Sequence, residues 1–176
     1  SGQLTERFMV NDWQQTMDQY MERIYKKTGS LFATASESGA VLSGADETTI
    51  QLMRNFGENL GTAFQVVDDI LDFEGTAAEI GKPVGNDLSS GTLTLPALLL
   101  VEQYPENNPV IALCQGIDRE ENIKRAVDMM HTTGIIADAY IVAEQLRLKA
   151  NASLDGMVDS DAKQALLELS DFVLAR

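Results

Sequence analysis

The sequence is poor in cysteine and histidine, two side chains that enzymes often use as nucleophile and general base. It contains one cysteine and one histidine, Cys114 and His131, in 176 residues. A single cysteine excludes an intrachain disulfide and fits a reducing compartment. Cys114 lies in a short apolar segment, where a structural thiol is the usual role, and no second nucleophile or base motif accompanies His131. Covalent catalysis by a Cys–His or Ser–His pair is therefore not expected.

Basic residues and long apolar runs are also scarce. Thirteen Lys and Arg stand against 27 Asp and Glu, which gives a net charge of −14 and a pI near 4.3. This balance argues against binding to nucleic acid or to an anionic membrane surface, and a phosphate-bearing ligand would need accompanying cations. The longest apolar run, from Leu95 to Val101, is interrupted by Pro96 and falls far short of the ~18 residues of a membrane span. Without a secretion signal, we expect a cytoplasmic protein.

The sequence also lacks the pattern of a β-strand, because no stretch alternates apolar and polar residues over strand length. Apolar residues recur instead at helical spacing, and turn signals separate the helical segments. We predict an all-α helical bundle over a single region, residues 1–176, with an interruption at Lys27-Thr28-Gly29. The predicted helix N-caps are Asn11, Asp46, Thr94, Asn108, Asp118 (as a capping box with Glu121) and Ser160.

The segment FQVVDDILDFEG, from Phe64 to Gly75, places three aspartates at the end of an apolar helix. A carboxylate near a helix C-terminus is disfavoured by about 0.3–1 kcal/mol, since the unpaired carbonyls there carry partial negative charge. Packing does not explain why Asp68, Asp69 and Asp72 occupy these positions. A bound cation would explain it, and a solvated acidic helix end is the alternative.

Helical geometry aligns these aspartates with other small and polar residues. Residues three and four apart share a face, so Gly57, Gly61, Gln65, Asp68 and Asp72 form one stripe. The glycines allow a second backbone or a ligand to approach. Mg²⁺ favours hard oxygen donors and shares one or two carboxylates with substrate phosphates, so the stripe is a candidate Mg²⁺ site.

Two lysines are candidates for holding a phosphate. Lys82 lies in the glycine-rich loop from Gly75 to Gly91, directly after the aspartates, and Lys27 precedes Thr28-Gly29 at the expected helix interruption. A loop of this length usually has a function or is disordered, and seldom serves only as a connection. The alternatives are an exposed loop lysine at position 82 and an exposed Lys26–Lys27 pair.

These segments together resemble the trans-isoprenyl diphosphate synthases, or polyprenyl synthetases. The resemblance rests on the order and spacing of Phe64-Gln65, DDILD from Asp68, GKP at 81–83, GNDL at 85–88, Leu95-Pro96 and, upstream, Lys27-Thr28. Each piece is weak, but the combined pattern is specific and covers essentially the whole chain. One departure is Thr92, where many members carry a lysine after the glycine.

The resemblance implies the fold and activity of that family. The fold would be the C-terminal portion of an isoprenoid-synthase-type bundle. The activity would be a prenyltransferase that joins an allylic diphosphate to isopentenyl diphosphate with Mg²⁺ as cofactor. Asp68 would contact the metal directly, and Asp69 and Asp72 directly or through water. Lys27 and Lys82 would hold the diphosphate as catalytic residues, Gln65 and Thr28 would line the allylic site, and the protein would be a homodimer.

One expected element of the family has no counterpart. Asp68-Asp69 is the only adjacent aspartate pair, so the family's first aspartate-rich motif is absent. We therefore expect the chain to be the C-terminal half of such an enzyme, inactive by itself and prone to self-association. The positions that limit product length lie mostly in the missing half. A related class I terpene synthase, and a non-catalytic helical subunit that regulates a partner synthase, are the alternatives.

Overall fold

The computed structural model describes residues 11–74 and 84–176. Every regular element in these ranges is helical, which confirms the all-α prediction. Within the same ranges, no helix combines the length and apolarity needed to cross a membrane. The helices are α1 (Met17–Ile24), a π-helix (Tyr25–Gly29), α2 (Ser30–Leu42), α3 (Glu47–Glu74), α4 (Asn86–Ser90), α5 (Leu95–Gln103), α6 (Pro109–Cys114), α7 (Arg119–Thr132), α8 (Ile135–Ala152) and α9 (Asp161–Leu174).

The first helix begins later than predicted. Asn11 has a φ of 60° and lies in a turn, so the prediction that it caps this helix is wrong. Thr16 takes that place instead: its hydroxyl accepts from the Gln19 amide at 3.3 Å, and the Gln19 side chain accepts from the Thr16 amide at 2.9 Å. This reciprocal pair is a capping box.

Most of the other predicted caps are confirmed. Asp46 accepts from the Thr49 amide, Asn108 from those of Val110 and Ile111, and Ser160 from that of Lys163. The bond from Thr49 also lowers the pKa of Asp46. Thr94 holds the N-cap position of α5 without a side-chain bond. The capping box at Asp118 is wrong, because this residue adopts a left-handed backbone, with a φ of 32°, and its side chain makes no capping bond.

The interruption predicted at Lys27-Thr28-Gly29 takes the form of one π-helical segment, Tyr25–Gly29. Gly29 is buried there, and a Cβ at this position would lie 2.8 Å from the Thr62 hydroxyl oxygen. Single π-helical turns are rare and frequently occur at functional sites. The segment connects α1 to α2 along the chain, and the lack of a side chain at Gly29 lets its backbone lie close to Thr62 of α3.

Packing divides the described residues into two units. The first comprises residues 11–23, 68–74 and 84–140, and the second comprises 24–67 and 141–176. Helix α3 belongs to both, since the division falls between Val67 and Asp68.

In the first unit, α5, α6 and α7 pack against one another. Its interior is made of large apolar side chains with at most 1% exposure, among them Ile70, Phe73, Leu88, Leu93, Leu95, Leu100, Met130 and Ile135. The C-terminal turns of α3, which carry the aspartates, therefore pack against a buried apolar core.

In the second unit, α3, α8 and α9 share a core formed by Phe56, Leu60, Ala63, Ala150, Leu154 and Val173. Helix α2 approaches α3 closely at two glycines. A Cβ at Gly57 would lie 2.4 Å from the Phe32 carbonyl oxygen, and one at Gly61 would lie 2.7 Å from the Phe32 Cβ. Real side chains essentially never come so close, so these glycines are required by packing.

Two glycine-to-alanine substitutions distinguish the effect of close helix packing on stability from the effect of helix propensity. We expect Gly57→Ala to lower the free energy of unfolding by about 1–3 kcal/mol, because α2 must move away from α3. Gly39→Ala in α2 is the matched control, since a Cβ added at Gly39 would have no other atom within 4 Å. It should raise stability by about 0.5–1 kcal/mol, because alanine favours helix over glycine. Chemical denaturation of both variants measures the difference, and equal effects would contradict the close contact.

Candidate active site

The three aspartates at the end of α3 have different environments. Asp68 is exposed, Asp69 is only 4% exposed, and Asp72 is half-buried. Successive helical residues are rotated by about 100°, so neighbouring carboxylates point in different directions. The three aspartates therefore differ in burial, and the adjacent pair Asp68 and Asp69 point in different directions.

Asp69 is held in the interior by Tyr20 of α1. The Tyr20 hydroxyl donates to Asp69 Oδ2 at 2.9 Å, and the ring is fully buried. Burial raises the pKa of Tyr20 well above its usual range, and the Asp69 charge raises it further. The phenol is therefore protonated at neutral pH and can act as the donor in this bond.

Arg23 adds a buried positive charge to the same cluster. It is 3% exposed, its guanidinium carbon lies 5.6 Å from the centre of the Tyr20 ring, and its Nη2 donates to the Leu93 carbonyl at 2.5 Å. Buried charges are tolerated when opposite charges and hydrogen bonds compensate them. The cluster contains one such charge of each sign, on Arg23 and Asp69.

Asp72 connects the end of α3 to the residues at the start of α4. Its Oδ2 accepts from the Asp87 amide at 2.9 Å, and its backbone carbonyl accepts from the Gly85 amide at 2.8 Å. Gly85 has a φ of 72°, a conformation that glycine adopts without strain. One residue thus ties the end of α3 to the start of α4.

Two further side chains hold the last turn of α3. His131 Nε2 donates to the Phe73 carbonyl at 2.8 Å, and the Tyr140 hydroxyl donates to Glu74 Oε2 at 2.5 Å. The last carbonyls of a helix have no partner within the helix, so the His131 bond satisfies one of them. This role of His131 was not predicted, since nothing in the local sequence pattern relates it to Phe73.

In the second unit, the structure brings together two of the predicted substrate-binding residues. The Thr28 hydroxyl donates to Gln65 Oε1 at 2.6 Å, and Gln65 is 3% exposed. Lys27 precedes Thr28 on the π-helix and its side chain is exposed. The bond to Thr28 orients the Gln65 amide, and Lys27 is accessible to an anion.

Lys82 lies outside the described residues, so its predicted role remains a prediction.

Cys114 is the last residue of α6, and burial is the main cause that raises the pKa of its thiol. A raised pKa disfavours the thiolate, which agrees with a structural role.

Comparison with known proteins decides the family. The family described as Polyprenyl synthetase matches residues 1–138. The chain belongs to the polyprenyl synthetase family. Among its relatives, solanesyl-diphosphate synthase 2, chloroplastic, of Oryza sativa subsp. japonica is 33% identical over 176 residues, covering 100% of this chain and 43% of the relative. A prenyl transferase of Synechocystis sp. is 35% identical, with 99% of this chain and 54% of the relative covered.

Solved structures give the same family. Heptaprenyl diphosphate synthase from Staphylococcus aureus superposes with a TM-score of 0.93 at 30% identity, covering 99% of this chain and 55% of that one. A polyprenyl synthase from Caulobacter crescentus, complexed with calcium and isoprenyl diphosphate, has a TM-score of 0.90 at 33% identity, with 99% and 54% covered. This polyprenyl synthetase chain therefore spans about half the length of these relatives.

The donor chemistry of this polyprenyl synthetase chain fits a hard divalent cation. No three His, Cys, Asp or Glu side chains converge as a metal cluster within residues 11–74 and 84–176. Asp68 and Asp72 lie one helical turn apart, and neither is fully buried. Mg²⁺ commonly binds through one or two carboxylates together with waters and substrate phosphates. These two aspartates can supply such a partial set of ligands.

Two substitutions of Asp72 distinguish its structural contact from its charge. Asp72→Ala removes the acceptor for the Asp87 amide and should lower stability by about 0.5–2 kcal/mol, as loss of a helix cap does. Asp72→Asn keeps an oxygen acceptor and should retain most of that stability. Hydrogen exchange at the Asp87 amide checks the cause: it should accelerate in the alanine variant only. Equal exchange in both variants would show that this contact does not anchor α4.

Proposed function

We propose that this chain is part of a trans-prenyltransferase that condenses an allylic diphosphate with isopentenyl diphosphate. The observation that carries the proposal is the exposed Asp68, one turn before the anchored Asp72, at the end of the aspartate-bearing helix of a polyprenyl synthetase. In the proposed reaction the allylic C–O bond breaks and diphosphate leaves. A C–C bond then forms to the isopentenyl double bond, and loss of a proton restores an alkene. No covalent protein intermediate is required.

The residues of the chain have proposed roles in binding and orientation. Asp68 and Asp72 would hold Mg²⁺, which when bound neutralises the charge that develops on the departing diphosphate. Lys27 would hold the diphosphate, because it is an exposed basic residue of the π-helical segment that also carries Thr28. We propose the same role for Lys82. Thr28 would position the Gln65 amide along the allylic site through their 2.6 Å bond.

The names of the relatives favour chain elongation over the two alternatives. They include solanesyl-diphosphate synthase and heptaprenyl diphosphate synthase, and none of the relatives compared above is named as a terpene cyclase or as a regulatory subunit. Homodimer formation and the preference for Mg²⁺ over other divalent cations stay predictions. The cytoplasmic location also stays a prediction, since relatives with chloroplastic and mitochondrial names occur.

Thermal melting with inorganic diphosphate tests the binding part of the proposal. A ligand at one hundred times its dissociation constant stabilises the folded state by about 2.7 kcal/mol. For a chain of this size, that corresponds to about 5–10 °C in Tm. We expect Mg²⁺ and diphosphate together to raise Tm more than the sum of their separate effects, because Mg²⁺ binds through shared phosphate oxygens.

Asp68→Asn should abolish this synergy and leave the Tm of the ligand-free protein unchanged or slightly raised, since it removes a carboxylate from a helix C-terminus. Asp155→Asn is the matched control, because Asp155 is exposed and its substitution removes one negative charge elsewhere.

The reaction itself is tested on the protein encoded by the longest reading frame that contains this chain. Radiolabelled isopentenyl diphosphate is supplied to it together with an allylic diphosphate. Normal turnover of Asp68→Asn in that protein would contradict the proposal.

Adjacent lysines on the π-helix provide a second test. Lys26 and Lys27 are both exposed, and each substitution to alanine removes one positive charge from the same segment. If Lys27 holds the diphosphate, Lys27→Ala should weaken Mg²⁺–diphosphate binding by about tenfold, equivalent to about 1.4 kcal/mol. Lys26→Ala should have a much smaller effect. Isothermal titration compares the two variants, and equal losses would indicate a general charge effect instead of a specific contact.

A further inference from the structure

The second aspartate of the motif has a different role from its neighbours. We propose that Asp69 and Tyr20 are positioning residues: Asp69 stays in the interior and does not contact the metal, and its bond to Tyr20 sets the rotation of the last turns of α3 so that Asp68 faces outward. The proposal deepens, and rests on, the proposed function. It departs from the expectation that all three aspartates contribute to metal binding.

The first argument is geometric. Tyr20 links two helices of the first unit, since it belongs to α1 and its hydroxyl donates to Asp69 of α3. Its side chain is fully buried, and the Arg23 guanidinium lies over its ring. Its position, and with it that of Asp69, is fixed by the core.

The second argument concerns charge. Asp69 and Arg23 are buried to similar extents, and both lie against Tyr20. If the Asp69 carboxylate turned outward to bind a cation, the buried Arg23 guanidinium would lose a compensating negative charge. Asp69 therefore has a structural reason to stay where it is. Asp68, which is exposed, has no such constraint from burial.

The third argument links the inward residue to the outward one. Adjacent residues on a helix are about 100° apart, while residues four apart lie on nearly the same face. When Tyr20 holds Asp69 against the core, Asp68 and Asp72 are placed together on a different face. The phenol acts on the candidate metal site only through Asp69, so it is not itself a catalytic residue.

The decisive experiment compares Asp68→Asn with Asp69→Asn in two measurements, Tm without ligand and binding of Mn²⁺ with inorganic diphosphate followed by electron paramagnetic resonance. Asp68→Asn should weaken binding by more than about tenfold and leave Tm unchanged or higher. Asp69→Asn keeps an acceptor for Tyr20 but removes the charge that balances Arg23. It should lower Tm while changing binding by less than about threefold. A loss of binding in Asp69→Asn as large as in Asp68→Asn would overturn the proposal.

A second variant keeps the test valid if Asp69→Asn does not fold. Tyr20→Phe removes only the hydroxyl, and Tyr104→Phe is the control, because Tyr104 lies in the same unit at the exposed end of α5. Tyr20→Phe should accelerate hydrogen exchange of the amides from Ile70 to Phe73 by about tenfold in the metal-free protein. It should also weaken Mn²⁺–diphosphate binding by about tenfold, because the turns that carry Asp68 and Asp72 are no longer held in one rotation. Exchange and binding equal to those of Tyr104→Phe would overturn the positioning role.

These measurements separate the inference from the function on which it rests. If the unsubstituted protein does not bind Mn²⁺ with diphosphate, the proposed function fails. The hydrogen-exchange comparison of Tyr20→Phe with Tyr104→Phe then still decides whether Tyr20 positions the last turns of α3.

Discussion

The C-terminal part of α3 carries three aspartates in a region of the helix where negative charge is disfavoured. They lie within five residues of one another, in the last two turns before the helix ends at Glu74. Each is treated differently by the surrounding structure. Asp69 is hydrogen-bonded to a protonated phenol beside a buried guanidinium, Asp72 accepts from a backbone amide, and Asp68 is exposed. In the proposed function, a cation that shares substrate phosphates binds at Asp68 and Asp72.

Several contacts of the first unit surround the aspartate-bearing end of α3 and compensate its charges. Tyr20 of α1 is buried with its hydroxyl on Asp69 of α3, and the buried Arg23 lies over the Tyr20 ring and donates to the Leu93 carbonyl. Asp72 accepts from the amides of Gly85 and Asp87 at the start of α4. His131 of α7 satisfies the Phe73 carbonyl. The aspartate-bearing turn is therefore connected by side-chain hydrogen bonds to α1, α4 and α7, and this is how a turn with unfavourable electrostatics stays ordered.

Sequence reasoning succeeded where the signal is local. Asp46, Asn108 and Ser160 cap their helices because a short polar side chain reaches an amide two or three residues away. The capping box of Thr16 and Gln19 has the same local signature, whereas Asn11, the predicted cap, has a positive φ and lies in a turn. Asp118 followed the pattern but failed, since its left-handed backbone turns the side chain away from the helix amides.

The sequence by itself determined that the chain is helical, that an acidic helix end precedes a glycine-rich loop, and that its motifs are those of polyprenyl synthetases. The helical periodicity and the acidic helix end depend on residues a few positions apart, and the family motifs depend on the order of short segments along the chain. Only the tertiary structure decided which aspartate is buried, because Tyr20 is 49 positions from Asp69 along the chain. It likewise decided that Gly57 admits no side chain while Gly39 has space for one. Helical periodicity assigns a residue to a face, but the partner that packs on that face sets its burial, its charge compensation and hence its role.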